Sequence, residues 1–340
     1  MKVLVTGGAG YIGSTVCNAL KDRGHIPVIL DNFSIGKKVF AEPHIWYEGD
    51  AADHGILGRI FADHPEITTI IHCAALIVVP ESTADPSRYY HENVVKSLGL
   101  FDFIRGRKAL SVVFSSSASI YATVEGFRVT EDAPLAPSSP YARTKYMMEM
   151  VLADFCAAYD MRGLALRYFN PIGADPQLRT GMHLASPSHV LSRLVNAALG
   201  VEEEFCITGT DWPTRDGTGI RDYIHIWDLA RAHVLATEYL HGEGNLSAAQ
   251  KEAALEPFQV INLGTGSGVT VRELCRAFQE VWDGDVPIVE GPPRPGDAAG
   301  AFADTTRARE RLGWQAELST SDAIRSELKW RDRRKDLLGY

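Results

Sequence analysis

Tyr141 and Lys145 stand four residues apart in Tyr141-Ala142-Arg143-Thr144-Lys145, so any helix that carries them turns both side chains to one face. A free phenol titrates near ~10. An ammonium held beside it favours the phenolate and brings that value toward neutrality. Such a phenolate can take a proton from a hydroxyl group while hydride leaves the same carbon. Ser117, the last of Ser115-Ser116-Ser117, supplies a further hydroxyl at the end of an apolar run. Taken alone, a Tyr–Lys pair at this spacing is a surface coincidence and the serines are loop caps. A hydride acceptor bound by the same chain would reverse that reading.

The chain has the turn that such an acceptor needs. Gly8-Ala9-Gly10-Tyr11-Ile12-Gly13 matches G-x-G-x-x-G after an apolar run and before a helical pattern, and Gly7 adds an overlapping glycine spacing. One glycine makes the turn, one lets the backbone approach a pyrophosphate, and one allows close helix–strand packing, with the anion resting on the helix N-terminus. Asp31 follows Gly13 by 18 residues, at the tip of Val28–Leu30, where an acid accepts hydrogen bonds from a ribose diol. A carboxylate there repels a 2′-phosphate, so the expected cofactor is NAD rather than NADP, and its oxidised nicotinamide would help to ionise the phenol. Asp50, in Glu48-Gly49-Asp50, is placed to meet the adenine, although the spacing fits a solvated loop acid equally well. Gly264-Thr265-Gly266-Ser267-Gly268 also joins a strand to a helix. It lacks the final glycine spacing and an acid-tipped second strand, so it reads as structural.

The elements that must position these residues are legible as runs. Val3–Val5, Val28–Leu30, Ile45–Tyr47, Ile70–His72, Val112–Ser115 and Leu164–Arg167 are short and mostly continuous in apolar character, as strands covered on both faces are. Amphipathic patterns at Tyr11–Arg23, Tyr89–Arg105 and Tyr141–Tyr159 separate them, with Gly24 able to end the first. The expected fold class is α/β: a doubly wound, parallel, Rossmann-type sheet with a smaller mixed α/β substrate-binding domain. The rhythm breaks after Asn170-Pro171. Helices near Val190–Leu199, Trp227–Leu240 and Val271–Trp282 and strands near Phe205–Ile207 and Phe258–Leu263 follow, with Gly242–Pro257 a polar loop or short helix. The expected division is residues 1–170, with elements of about 222–264, for the cofactor, and 171–221 with 265–340 for the substrate.

Composition excludes several other classes. A chain of 340 residues with 34 Lys plus Arg against 43 Asp plus Glu is acidic, which disfavours nucleic acid or an anionic membrane surface as a partner. No run approaches ~18 apolar residues, so no membrane span is expected. The apolar start is too short for a signal-peptide core. Five scattered cysteines, without C-x-x-C spacing, fit a reducing cytoplasm. The histidines show no H-E-x-x-H, so no metal is expected.

Taken together, these residues resemble the extended short-chain dehydrogenase/reductase family and, within it, the UDP-glucose 4-epimerases over nearly the whole chain. The likeness rests on Thr6–Gly13, Leu30-Asp31-Asn32, Phe114–Ala118, Ser139-Pro140-Tyr141, Leu166–Pro171 and Asp216–His225, the last two being far more specific than a glycine turn. It implies a tightly held NAD, a homodimer, a UDP-sugar substrate and reversible C4 epimerisation of UDP-glucose and UDP-galactose through a 4-keto sugar. By matching position it makes Tyr141 the base, Lys145 the residue that binds the nicotinamide ribose, and Ser117 the partner of the sugar hydroxyl. It assigns NAD to Gly7, Gly10, Tyr11, Ile12 and Gly13, to Asp31, Asn32, Phe33, Ser34 and Gly36, and to Asp50 and Ala51. Cys73, Ala74, Ala75, Ile77, Asn93, Ser115, Tyr168 and Phe169 complete that set. It assigns the substrate to Asn170, His189, Arg221, Arg294, Asp297 and Ala301, with Cys206, Ile207 and Thr208 beside the uracil. Two arginines from distant segments suit a diphosphate independently of family.

Three positions depart from the family pattern: Ile77 where some relatives have lysine, Glu92 in place of the first of two asparagines, and His189 in place of an asparagine. Ala301 falls where relatives carry either tyrosine or a small residue, which leaves room for an acetamido group and extends the expectation to UDP-GlcNAc and UDP-GalNAc. A dehydratase of this fold would place Thr-Asp-Glu where this chain has Ser117-Ala118-Ser119, so elimination lacks its acid and base. A non-catalytic NAD sensor would have a broken Tyr–Lys pair, and here the pair is intact.

Overall fold

The computed structural model describes residues 1–107, 110–293 and 298–340. Seven strands form one parallel sheet: β1 Lys2–Thr6, β2 Ile26–Asp31, β3 Ile45–Glu48, β4 Thr69–His72, β5 Leu110–Ser115, β6 Met161–Tyr168 and β7 Phe258–Leu263. Their spatial order is β7-β6-β5-β4-β1-β2-β3. Each strand lies where its apolar run lies, with ends up to three residues longer, and β7 is the strand that the second half returns to the sheet.

The continuous apolar runs have a direct structural meaning. Val3, Val5, Ile29, Ile71, Val113, Leu164 and Leu166 enter one hydrophobic cluster, while Leu4, Val28, Leu30, Ile70, Val112 and Ala165 enter another on the opposite face. Alternate residues point to opposite faces, so a strand buried on both faces must be apolar throughout. Helix α1 (Tyr11–Asp22) packs on the first face, and α2 (Lys96–Ile104) and α3 (Pro140–Ala158) cover the second. The chain runs outward in both directions from β1, which has β2 on one side and β4 on the other. That reversal opens a crevice above the carboxyl ends of β1 and β4.

The helix expected over Tyr89–Arg105 is instead a turn of helix at Pro86–Tyr90, a π-helical turn at His91–Val95 and then α2. Periodicity cannot register the inserted residue, and such insertions gather at functional sites. Beyond the main sheet, Ile220–Arg221 lies between Val269–Thr270 and Gly300–Ala303, and the latter pairs with Arg128–Val129 from the first half of the chain. Asn170–Ile172 pairs with Tyr223–His225, and Phe205–Thr208 with Ile288–Gly291. Helix α4 (Val190–Ala198), α5 (Ile226–Leu240) and the C-terminal α6 (Thr320–Leu338) complete the elements used below. Among the described residues no helix is long and apolar enough to cross a membrane.

The second glycine-rich run proves to be an internal joint. The buried Asp222 carboxylate accepts bonds from Thr265 N and Oγ1, both at 2.7 Å, and from Gly266 N and Ala303 N, both at 3.1 Å. An internal anion therefore fills the concavity that a ligand anion would otherwise use. Burial pushes the Asp222 carboxyl up and these donors pull it back. In Asp222→Asn the amide nitrogen would face two backbone N–H groups and leave both unmet, at about 1–3 kcal/mol each. Urea unfolding should show a loss of roughly 2–4 kcal/mol; a variant as stable as the parent would mean that the carboxylate is not the joint.

Candidate active site

At the carboxyl end of β1 the chain turns through Gly7, whose φ of +69° favours glycine, and enters α1 with no side chain capping its first turn. A Cβ on Gly13 would lie 2.2 Å from the Gly7 carbonyl oxygen, and one on Gly7 would lie 2.7 Å from Ala74 N. The turn thus packs against the Ala74 loop after β4, and the uncapped N–H groups at the helix start face the crevice. Asp31 closes one side, accepting from Ala9 N at 2.9 Å and Phe33 N at 2.8 Å. Burial pushes its carboxyl up, against both bonds. Phe33 sits at φ +55°, Ser34 bonds the Asn32 side chain through both N and Oγ, and past Gly36 the amide of Lys37 donates back to the Ala9 carbonyl. Residues 31–36 therefore wrap over the glycine turn. Asp50, with Ala51 next to it, lies beyond Asn32, which hydrogen-bonds its carboxylate.

The Tyr–Lys pair lies on the inner face of α3, close to the strand ends. Ser139 caps the helix by accepting from Ala142 N at 3.1 Å, and Pro140 occupies its first turn. Tyr141 is buried and hydrogen-bonds Ser117. Ser117 Oγ also lies 3.0 Å from Ser119 Oγ. Lys145 is buried as well; its Nζ donates to the Ser115 carbonyl at 2.8 Å and stands 5.1 Å from the centroid of the Phe114 ring.

In the resting protein, burial dominates the electrostatics of the pair. Burial pushes the Tyr141 phenol up, and the Ser117 hydrogen bond opposes that. The ammonium is spent on a carbonyl, and burial brings Lys145 itself down to about 8 despite the nearby Cys73 and Glu149.

A polar chain underlies the pair. Ser115 Oγ lies 3.2 Å from both Cys73 Sγ and His233 Nε2, and it also hydrogen-bonds Tyr168. His233 Nδ1 is 2.9 Å from the Leu229 carbonyl, which fixes Nε2 as an acceptor for the serine hydroxyl. One helical turn past Lys145, Glu149 forms a buried ion pair with Arg167 at 2.7 Å and accepts from the Ser116 hydroxyl.

The residues expected for the substrate are less gathered. Asn170 N donates to the Asp222 carbonyl, and His189 precedes α4 with its ring 5.9 Å from that of Tyr11. Arg221 spends its guanidinium on the carbonyls of Ile220, Ala299 and Ala298, at 2.7–3.0 Å, and its backbone pairs with Ala301. Cys206, Ile207 and Thr208 lie on the strand paired with Ile288–Gly291. Ile77 is exposed, while Asn93 accepts from Leu76 N and donates to Leu76 O and Thr144 Oγ1. Arg294 and Asp297 lie outside the described residues.

The family model described as NAD dependent epimerase/dehydratase family matches residues 3–247. The chain belongs to that family. A curated UDP-glucose 4-epimerase of Rhizobium leguminosarum bv. trifolii is 40% identical over 328 residues, 96% of each chain. A crystal structure of UDP-glucose-4-epimerase from Stenotrophomonas maltophila, with bound NAD and formylated UDP-arabinopyranose, superposes with TM-score 0.91 at 36% identity and covers 99% of both chains. The UDP-Glc/GlcNAc 4-epimerase of Campylobacter jejuni superposes with TM-score 0.81 at 31% identity, covering 98% of this chain and 99% of its own.

The crevice of this family member fits a dinucleotide on its own geometry. A Cβ on Gly7 or Gly13 would collide with backbone, the helix start is uncapped, and Asp31 stands beside the turn. Reading the sequence alone passed over Lys96, Glu149, Ser119 and His233. Glu149 left one signal, since it continues the four-residue spacing of Tyr141 and Lys145. His233 left none, because nothing local announces what a buried helix will meet.

A lysine lowered to about 8 is a liability in the fold. It binds fewer protons than its unfolded counterpart between pH ~8 and ~10.4, so stability should rise with pH across that window. Lys145→Met should therefore melt higher than the parent at pH 7, with the gap closing toward pH ~10. Thermal melts along that series check it; a gap independent of pH would refute it.

Proposed function

We propose that this protein interconverts UDP-glucose and UDP-galactose at C4, with NAD bound at the β1 turn. The reading is carried by the buried hydroxyl pair of Tyr141 and Ser117, with Lys145 anchored one turn away, at the edge of a dinucleotide cradle. When bound, NAD supplies a hydride acceptor that later returns what it took, so the reaction has no net redox change.

In this reading, Ser117 holds the C4 hydroxyl through its own hydroxyl group. Tyr141, as phenolate, takes the proton from that hydroxyl as C4 is oxidised, and the 4-keto sugar then turns its other face. Tyr141 gives the proton back to the new hydroxyl, so it ends the cycle as it began. Lys145 holds the nicotinamide ribose and supplies the positive charge that keeps the phenolate accessible. Gly7, Gly10, Tyr11, Ile12 and Gly13 hold the pyrophosphate, Asp31 to Gly36 the adenosine ribose, and Asp50 with Ala51 the adenine. Cys73, Ala74, Ala75, Ile77, Asn93, Ser115, Tyr168 and Phe169 line the remainder. Asn170, His189, Arg221, Arg294 and Asp297 serve the nucleotide diphosphate, and Cys206, Ile207 and Thr208 the uracil. For Arg221 this requires that phosphate draw the guanidinium away from the carbonyls that it now holds. Residues 1–170 with about 222–264 form the NAD-binding part, and 171–221 with 265–340 the sugar-binding part.

The working unit is a homodimer in the cytoplasm. Support for the dimer is an apolar stripe left bare on neighbouring helices: Val95 is 55% exposed, with Leu98, Met147 and Met150 also uncovered. Five free cysteines support a reducing compartment.

Tyr141→Phe should still bind NAD yet lose turnover by roughly 10²–10⁴-fold, the usual worth of a general base. NMR of the products from UDP-galactose measures this, and near-parental turnover would overturn the assignment. The sugar pocket is the finer matter. The small side chain of Ala301, beside Arg221, leaves space for an acetamido group, so UDP-GlcNAc and UDP-GalNAc are substrates too. Ala301→Tyr should cost the N-acetyl pair about tenfold or more relative to the plain pair, as overpacking does. Equal kinetics on both pairs before and after the change would remove Ala301 from specificity.

A further inference from the structure

Glu92, the acid that stands where the family pattern has an asparagine, has a partner. Lys96 opens α2, and its Nζ lies 2.5 Å from Asp50 Oδ2 and 2.8 Å from Glu92 Oε2. Asp50 follows β3, whereas Lys96 follows the π-helical turn, so the ammonium ties together two walls from distant parts of the chain. Asp50 is bonded further: Oδ1 accepts from Ala52 N at 2.9 Å, and Asn32 reaches the carboxylate from the end of β2.

The backbones behind this pair are pressed together. A Cβ on Gly99 would come within 3.1 Å of the Ala52 Cβ, and His54 Nε2 lies 3.0 Å from the Gly99 carbonyl. On the other side of the same turn, Asn93 grips both backbone polar groups of Leu76. One short stretch, Glu92 to Lys96, therefore holds both the loop after β4 and the loop after β3. The inserted π residue explains how: it shifts the register so that Asn93 faces one loop and Lys96 the other.

We propose that Lys96, bridging Asp50 and Glu92, is an ionic clasp across the adenine end of the NAD site that slows cofactor release. The proposal rests on the reading of Asp50 and Ala51 as the adenine wall. A cofactor that is regenerated at every turnover gains nothing from leaving, so a residue that retards exit serves this reaction. The three side chains are 23–30% exposed, so they lie between the screened surface, where a pair is worth little, and the interior, where it must be fully satisfied. Burial alone would raise the Asp50 carboxyl, and the bonds from Lys96 and Ala52 outweigh it and hold it below its usual range.

The test is the rate of NAD release from the loaded protein, followed by competition with excess labelled NAD at low and high salt. Lys96→Met keeps the alkyl stem and removes the charge, and should release NAD roughly tenfold faster than the parent at low salt, since binding changes of this kind are expressed mostly in dissociation. Raising ionic strength to ~1 M, where the Debye length is about 3 Å, should narrow the gap between the two rates. Glu92→Gln should fall between them, which keeps the test open should Lys96→Met fold poorly. If both variants release NAD no faster than the parent, the clasp is wrong and the NAD site stands. Faster release with the same ratio at every salt concentration would assign the effect to altered packing at the Lys96 position rather than to charge, and would also overturn the clasp. A parent that binds no NAD would overturn the epimerase reading itself, and the clasp with it.

Discussion

The ion pair between Glu149 and Arg167 is the joint on which the chemical face of the molecule hangs. A carboxylate buried on α3 is tolerable only if a cation meets it with good geometry, and Arg167 at the end of β6 does so through both Nε and Nη2. The same guanidinium donates to the Tyr121 hydroxyl and the Glu131 carbonyl, and the same carboxylate accepts from Ser116. Two strand ends, one loop and one helix are thereby fixed in mutual register. Glu149 is eight residues from Tyr141 on the same helical face, so fixing one end of that face sets how far the phenol reaches toward Ser117.

Two glycine-rich turns of similar sequence have opposite fates for an electrostatic reason. Each presents backbone N–H groups in a concave arrangement that attracts an anion. At Gly264–Gly268 the chain supplies that anion itself, as Asp222, and the turn becomes a fastener between the main sheet and the small sheet that carries Arg221 and Ala301. At Gly7–Gly13 the internal carboxylate of Asp31 takes the Ala9 N–H alone and is shared with Phe33 N, while the start of α1 has no side-chain cap. The difference between a joint and a binding site is whether the fold fills its own electrostatic well.

The site also holds buried groups away from their charged forms. Lys145 and Tyr141 both sit where burial disfavours their charged forms, and His233 is brought down to about 4 by the same burial. A fold optimised for stability alone would place apolar side chains there. These residues are kept polar in a dry crevice because charge that is costly in the resting protein acts strongly on whatever binds there.

The sequence by itself determined the sheet, because a strand buried on both faces is mostly apolar along its length, as the runs from Val3 to Leu263 mostly are. It also determined the glycine turn, the acid at Asp31 and the Tyr141–Lys145 spacing, since these are local demands of backbone geometry and helix period. The π-helical turn was hidden, because a helical pattern with one extra residue still reads as a helix. Lys96, Ser119 and His233 were hidden for a different reason: their partners are set by which loops meet at the carboxyl edge, and no spacing encodes that. The resting surroundings of Tyr141 were hidden on the same ground. The sequence put an ammonium near the phenol, but only the tertiary structure decided that Lys145 would turn to the Ser115 carbonyl, and that burial would outweigh its charge.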